Sequence, residues 1–430
     1  MKTGLSFLIA AKRCEITELQ QLALTAELVS ACAQTIHSLQ RERGMSNLFL
    51  ASGGAQFAPE RGLQVLASDT DLLQLRQGFD ALQTDPHRHG QGTRLFNRVA
   101  YVLHALDALD DLRNRVQTLQ WGVRLTTNAY SQLIRGLLAV VFEAADTSSD
   151  PAVARLLVAM FNFMQGKELV GQERALGSAM FASGTATVAD QQQLLHLVES
   201  QEKCLAVFDT FAPPALAGAW TQAPQSPAQM QRSKLRRVLT ETQGNGALNT
   251  HTSGGWFAAC SDCLDEMRAL EGQLGEVLAG ICTERMASAQ KEHDQLLELQ
   301  ATFAVTPPNA ANAELFFSQA TGSLADAPNQ PLDSLLDRTL MEAMASQTQR
   351  MQTMADELNQ ARQSLQERKL LERAKGVLMA NQHLSEAQAH KVMRQMAMNQ
   401  NRRMTEVAQS ILALAHALPL ALEPTNSART

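Results

Sequence analysis

Residues 15–52 read EITELQQLALTAELVSACAQTIHSLQRERGMSNLFLAS, and this stretch decides the fold. Ile16, Leu19, Ala23, Ala26, Val29, Ala33 and Ile36 recur at three- and four-residue steps, which is one face of an amphipathic helix. Residues 151–184, PAVARLLVAMFNFMQGKELVGQERALGSAMFASG, repeat its ending at an offset of 131 residues. Glu42–Arg43 falls on Glu173–Arg174, Leu50 on Phe181, and Ala51–Ser52–Gly53 on Ala182–Ser183–Gly184. Asp150 before Pro151 reads as an N-cap followed by proline at the first helical position. The repeat predicts a duplicated helical bundle.

The rest of the chain agrees. Of 430 residues, 45% are hydrophobic and 19% charged, a globular composition, and only 5% are aromatic. Val, Ile and Tyr are scarce, which disfavours a large sheet. Ser52–Pro59, Asp85–Gly92, Ala212–Pro227 and Gly244–Gly255 read as connections, and 256–304 as one long helix. Leu5–Ala11 reads as a frayed start. No apolar run approaches the ~18 residues needed to span a bilayer, and six scattered cysteines suit a reducing compartment. The expected location is the cytoplasm.

Thr306–Pro331, with four prolines, reads as a linker. Beyond it Met344, Met351, Leu358 and Leu365 recur every seven residues, with Leu340, Met354 and Ala361 partly filling the intervening position. Gln347 and Arg368 interrupt the pattern. Two readings stand: a short coiled coil that would pair two copies, or one helix packed on a neighbouring bundle. Two further helices are expected near 385–399 and 404–417, with Ser385 as a cap. The all-α chain then divides into a sensor at 1–305, the linker at 306–331, a connecting helix at 332–365, a three-helix module at 366–418 and a tail at 419–430.

Charge is uneven. The net charge is −6, yet residues 362–411 hold nine Lys or Arg against four Asp or Glu. A basic module on an acidic protein points to an anionic partner for that module, nucleic acid above all.

Arg43 lies seven residues after Ile36 and fourteen after Val29, and Arg174 continues the stripe of Phe163 and Val170. A guanidinium facing a core costs several kcal/mol unless it is paired. Either Glu42, Glu168 or Glu173 satisfies it, or a bound anion does. Arginine suits a small planar anion, because its fork donates to two coplanar oxygens. Arg41 is off the stripe and reads as solvated.

The motif Gln40–Arg41–Glu42–Arg43–Gly44–Met45–Ser46, with Lys167–Glu168–Leu169–Val170–Gly171–Gln172–Glu173–Arg174–Ala175, resembles the NIT family of nitrate- and nitrite-sensing domains. The resemblance covers roughly residues 15–300. It implies two helical bundles holding nitrate or nitrite between arginines, Arg43 and Arg174 among them. It also implies a further arginine near the end of the second bundle, for which Arg232, Arg236 and Arg237 compete; Arg236 and Arg237 join the candidate set.

Downstream, Ala374–Lys375–Gly376, Leu378–Met379, Glu386–Ala387, Ala397–Met398 and Val407–Ala408 resemble the ANTAR family of RNA-binding antitermination domains. The resemblance implies contacts to paired stem-loops of nascent leader RNA. Lys375, Lys391, Arg394, Arg402 and Arg403 are the candidate phosphate-binding residues. His390 stands where most members carry an aromatic residue, and its imidazole can still stack on a base.

Cys260–Ser261–Asp262–Cys263 has no second pair and no ligand-spaced histidines, so neither metal nor redox chemistry is expected. His87 and His89 read as exposed loop residues. No nucleophile–base constellation stands out. The expectation is a nitrate- or nitrite-responsive transcription antitermination regulator, neither an enzyme nor a membrane protein, acting as a homodimer; the competing expectation is an RNA-binding antiterminator whose sensor answers a protein partner or another small anion.

Overall fold

In the computed structural model, the described residues are 4–82, 92–222, 226–242, 246–305, 332–382, 384 and 386–417. The linker, the tail, His87, His89 and Ser385 lie outside them.

The first helix, α1 (Gly4–Ala51), begins earlier than the sequence suggests. Leu5 and Ile9 are buried, so the segment read as frayed is a packed helical turn. Lys12 ties it down through ion pairs with Glu15 and Glu292. The helix packs on α2 (Ala58–Asp80) and α5 (Val123–Thr147), with α3 (Gly92–Asp107) and α4 (Leu109–Gln117) completing the first bundle.

The centre of the molecule is α6 (Pro151–Ser183). Asp150 caps it, its carboxylate accepting from the backbone N–H groups of Ala152 and Val153 at 2.9 and 3.1 Å. Every residue from Leu156 to Met164 is buried, because α5, α7 (Val188–Phe211), α10 (Thr252–Val305) and α11 (Leu332–Gln382) cover it from different sides. A helix apolar all round is a central helix. The second bundle adds α8 (Pro214–Gln222) and α9 (Pro227–Glu241). The first of these interrupts a segment expected to be only a connection. Trp220 anchors it, standing edge-on to Phe163 at 5.2 Å.

Both copies of the repeat end alike. Gly53 and Gly184 take left-handed φ values of 63° and 71°, which a side chain would resist. After Gly184, β1 (Thr185–Ala186) pairs antiparallel with β2 (Gly246–Ala247), a two-strand clasp across the second bundle.

The described part of α11 carries Ala361 and Leu365 buried, with Leu358 beside them, against the large core of the sensor. Over these residues the helix packs on a neighbouring bundle. Met344 and Met351 have no described side chains. The C-terminal end of α11 joins α12 (Glu386–Gln400) and α13 (Met404–Ala417) around a separate small core of Ala374, Leu378, Ala389, Met393 and Val407.

Candidate anion site and RNA-binding module

Where α1 and α6 cross, two glycines leave room for two arginines. A Cβ on Gly171 would stand 2.5 Å from Nη2 of Arg43, and one on Gly44 would stand 2.7 Å from Nη2 of Arg174. The two guanidinium groups are thus brought together at the crossing, both buried.

Their surroundings differ. Arg43 is forked onto Glu168, Nη1 to Oε1 at 2.6 Å and Nη2 to Oε2 at 3.1 Å. Gln40 and Gln172 also donate to that carboxylate, at 2.8 and 3.0 Å. Arg43 is therefore satisfied by one of the carboxylates named as candidate partners. Arg174 has no ion-paired carboxylate among the described residues. It donates to Ser261 Oγ at 2.9 Å and the Gln40 carbonyl at 3.1 Å, and lies over the Phe257 ring at 4.7 Å. Burial first and the Arg43 charge second push its pKa down to about 10. It is the guanidinium short of negative charge.

The arginines of α9 form a second cluster. Arg236 forks onto Glu173 with both contacts at 2.7 Å and reaches Gln201 at 3.1 Å. Burial works against its charge, but the hydrogen bond and charge of Glu173 raise its pKa above the ordinary value. Arg232 is buried, 3.8 Å from the same carboxylate, with Nε and Nη1 lacking hydrogen-bond partners among the described residues. Arg237 does not join either cluster. It points to solvent and lies 3.8 Å from Glu241, one turn along. Helix geometry explains the split, because consecutive residues point about 100° apart.

Several partners escaped the sequence reading. Glu42 is held by a fork from Arg113 at 2.8 and 2.9 Å and by the Tyr130 hydroxyl at 2.6 Å. This matches Glu173 with Arg236 in the other copy. Arg43 also donates to Ser131 at 2.8 Å, as Arg174 does to Ser261. The near-equal spacing of the two serines was a usable signal, though a weak one in a chain with many serines.

In the C-terminal module the six candidate residues separate. Lys391, Arg402 and Arg403 are exposed, Arg402 beside Glu406 at 3.3 Å. Lys375 is buried between Glu372 and Glu386 at 2.6 and 2.9 Å, where it ties α11 to α12. Arg394 reaches across to Glu199 of α7, with both carboxylate oxygens at 2.9 Å from Nη1. His390 lies against the same helix, its ring 4.9 Å from that of His196 and its Nε2 3.4 Å from Lys203 Nζ. Arg135 of α5 meets Glu386 at 3.3 Å. Two candidate RNA contacts are thus turned onto the sensor.

The fold and these two regions define a class: a duplicated helical bundle with buried arginines at its crossing, joined to a basic three-helix module as a sensor is joined to an effector. Among the described residues no cluster of ligating side chains could hold a metal, and no helix is long and apolar enough to cross a membrane. Residues 34–279 match the model of the nitrate and nitrite sensing family, NIT, and residues 359–412 match the ANTAR domain. The chain belongs to the nitrate and nitrite sensing family. It is similar to the nitrate regulatory protein of Klebsiella oxytoca, 33% identical over 404 residues covering 94% of this chain and 93% of that protein. It is also similar to the solved structure of the NasR transcription antiterminator, with a TM-score of 0.57 and 29% identity over 96% of this chain and 99% of the other. The protein is a nitrate-responsive regulator of transcription antitermination.

Proposed function

We propose that the sensor masks the RNA-binding module until nitrate or nitrite binds near Arg43 and Arg174, and that the freed module then grips stem-loops in nascent leader RNA. The contact of α12 with α7 carries this reading: Arg394 and His390 are engaged by Glu199, His196 and Lys203 and cannot meet RNA in that state. The connecting helix is held as well. Arg368 donates to Asn162 at 2.8 Å and covers the Phe161 ring, and Arg362 donates to the Ser148 carbonyl at 3.2 Å. An anion can release these contacts only by binding the released arrangement more tightly.

Phosphate contacts fall to Lys391, Arg394, Arg402 and Arg403, with loop bases supplying specificity and His390 able to stack once exposed. Lys375 acts in this reading mainly by holding α12 in place. A homodimer acting in the cytoplasm completes the reading, since two stem-loops suit two modules and the seven-residue pattern from Met344 could join them. Sensor, linker and module keep the bounds 1–305, 306–331 and 366–418.

Reversing the charge of Glu199 tests the masking without touching the RNA module. Glu199→Lys should raise the RNA affinity of the nitrate-free protein about three- to tenfold, the scale of an exposed ion pair plus the added repulsion. Adding nitrate should then change little. Equal affinities for the wild type with and without nitrate would show that nitrate acts at a later step.

A further inference from the structure

The duplication extends beyond the arginines. Offsets of 130 or 131 residues pair Arg43 with Arg174, Ser131 with Ser261, and His37 with Glu168. The serines receive the two guanidinium groups in the same way. On the opposite side the copies part. Glu168 of α6 presents both oxygens to Arg43, while the repeat puts His37 of α1 in the corresponding place for Arg174. One arginine has its carboxylate, and the other has an imidazole.

His37 carries the second observation. It is only 8% exposed, and its Nδ1 has no hydrogen-bond partner among the described residues. Its Nε2 is 3.8 Å from Asp265, beyond a hydrogen bond. A buried ring nitrogen without a partner is costly to leave dry and unbonded, unless something meets it. Burial first, then the charges of Lys167, Arg268, Arg41 and Arg174, drop the pKa of His37 to about 2, so the imidazole is neutral. Lys167 and Arg268 share Glu271, and Arg174 has no such partner among the described residues. Asp71, held by Ser38 and Gln34, lies across an open cavity that His37, Arg41 and Arg268 also line. That cavity is a route from solvent to His37.

We infer that the sensor's anion sits beside Arg174 and His37, in the place that Glu168 fills beside Arg43. The guanidinium fork supplies two donors and the imidazole Nδ1–H a third, which suits a trigonal, monovalent oxyanion and not a tetrahedral divalent one. Glu168 is then a built-in anion that reserves the Arg43 seat. The inference rests on the reading of the sensor as a nitrate receptor and assigns the residue, His37, that completes the seat.

Calorimetry on the full-length protein with sodium nitrate, and with sodium sulfate beside it, tests the assignment. The wild type should take up one nitrate per chain. His37→Glu puts a carboxylate in the open seat and should abolish nitrate binding while the melting temperature holds or rises. His37→Phe keeps a ring and removes the donor; it should weaken nitrate roughly tenfold or more, guarding against a folding defect in the first variant. Glu168→Gln should open the second seat and raise uptake to two per chain. Wild-type affinity in the two His37 variants overturns the assignment, as does loss of binding in Glu168→Gln alone, which would put the anion on Arg43. A wild type that binds no nitrate at all fails the receptor reading itself, and the seat falls with it.

Discussion

Arg43 and Arg174 are equivalent in sequence and not in circumstance, and truncating each should separate stability from ligand binding. Arg43→Ala strands Glu168, a buried carboxylate left with amide donors alone. Breaking one side of such a pair costs about 3–5 kcal/mol, so this variant should unfold at markedly lower urea concentration. Arg174→Ala strands no carboxylate and relieves a guanidinium already short of negative charge, so its unfolding midpoint should shift far less. Nitrate affinity should fall by about 2–5 kcal/mol in Arg174→Ala, and Arg174→Lys should not restore it, because the fork is gone. Urea titration and calorimetry on the same samples check both halves. Similar destabilisation in the two variants would mean that Arg174 has a counter-charge after all.

At the scale of the helices, the close approach of α6 and α10 depends on one glycine. A Cβ on Gly177 would lie 2.4 Å from the Trp256 ring, whose Nε1–H donates to the Arg174 carbonyl at 3.0 Å. Trp256 is fully buried and cannot retreat into solvent. Gly177→Ala should therefore cost about 1–3 kcal/mol by overpacking, despite alanine's better helix propensity. Gly218→Ala, in α8 with nothing near its Cβ, is the control and should be neutral or slightly stabilising. The comparison is a pair of thermal melts. An unchanged melting temperature in Gly177→Ala would argue against so tight a crossing. The same crossing carries Arg174, so the variant should also lower nitrate affinity.

For the whole molecule, the docked module makes its own pH dependence. Burial, Lys203 and His196 depress the His390 pKa from its ordinary 6.5 to about 4, and His196 is lowered too, chiefly by burial. Lys375 adds to the depression, while Glu199 and Glu386 oppose it in part. The docked state thus favours neutral imidazoles. Its stabilisation is intact above about pH 6.5 and fades as the pH falls towards 4, since a released module takes up the proton more readily. Nitrate-free protein should bind RNA roughly three- to tenfold more tightly at pH 5.5 than at pH 7.5, a figure reduced for the partial exposure of these rings. Glu199→Lys, already released, supplies the baseline for any direct effect of pH on RNA binding. A wild-type curve that runs parallel to that baseline would rule out the latch. RNA affinity itself should fall steeply with salt, and removing Arg402 or Arg403 should flatten the slope.

Periodicity carried most of the helical layout, because burial on one face leaves a regular trace. It marked Val29, Ala33 and Ile36 of α1 and placed Arg43 and Arg174 on inward faces, and the matched endings at Gly53 and Gly184 exposed the duplication. Short motifs sufficed for the family, since Glu42–Arg43 and Glu173–Arg174 carry chemistry in few residues. Sequence alone could not distribute the counter-charges. Glu42, Glu168 and Glu173 were all candidates, and only the crossing of α1 with α6 sent Glu168 to Arg43 and left Arg174 without a paired carboxylate among the described residues. Nor could it tell an exposed basic face from a docked one: Arg394 and Arg403 look alike in composition, yet one meets Glu199 across the molecule and the other meets solvent. Local spacing records which way a side chain points along its own helix, whereas a partner 195 residues away is chosen by how whole helices pack.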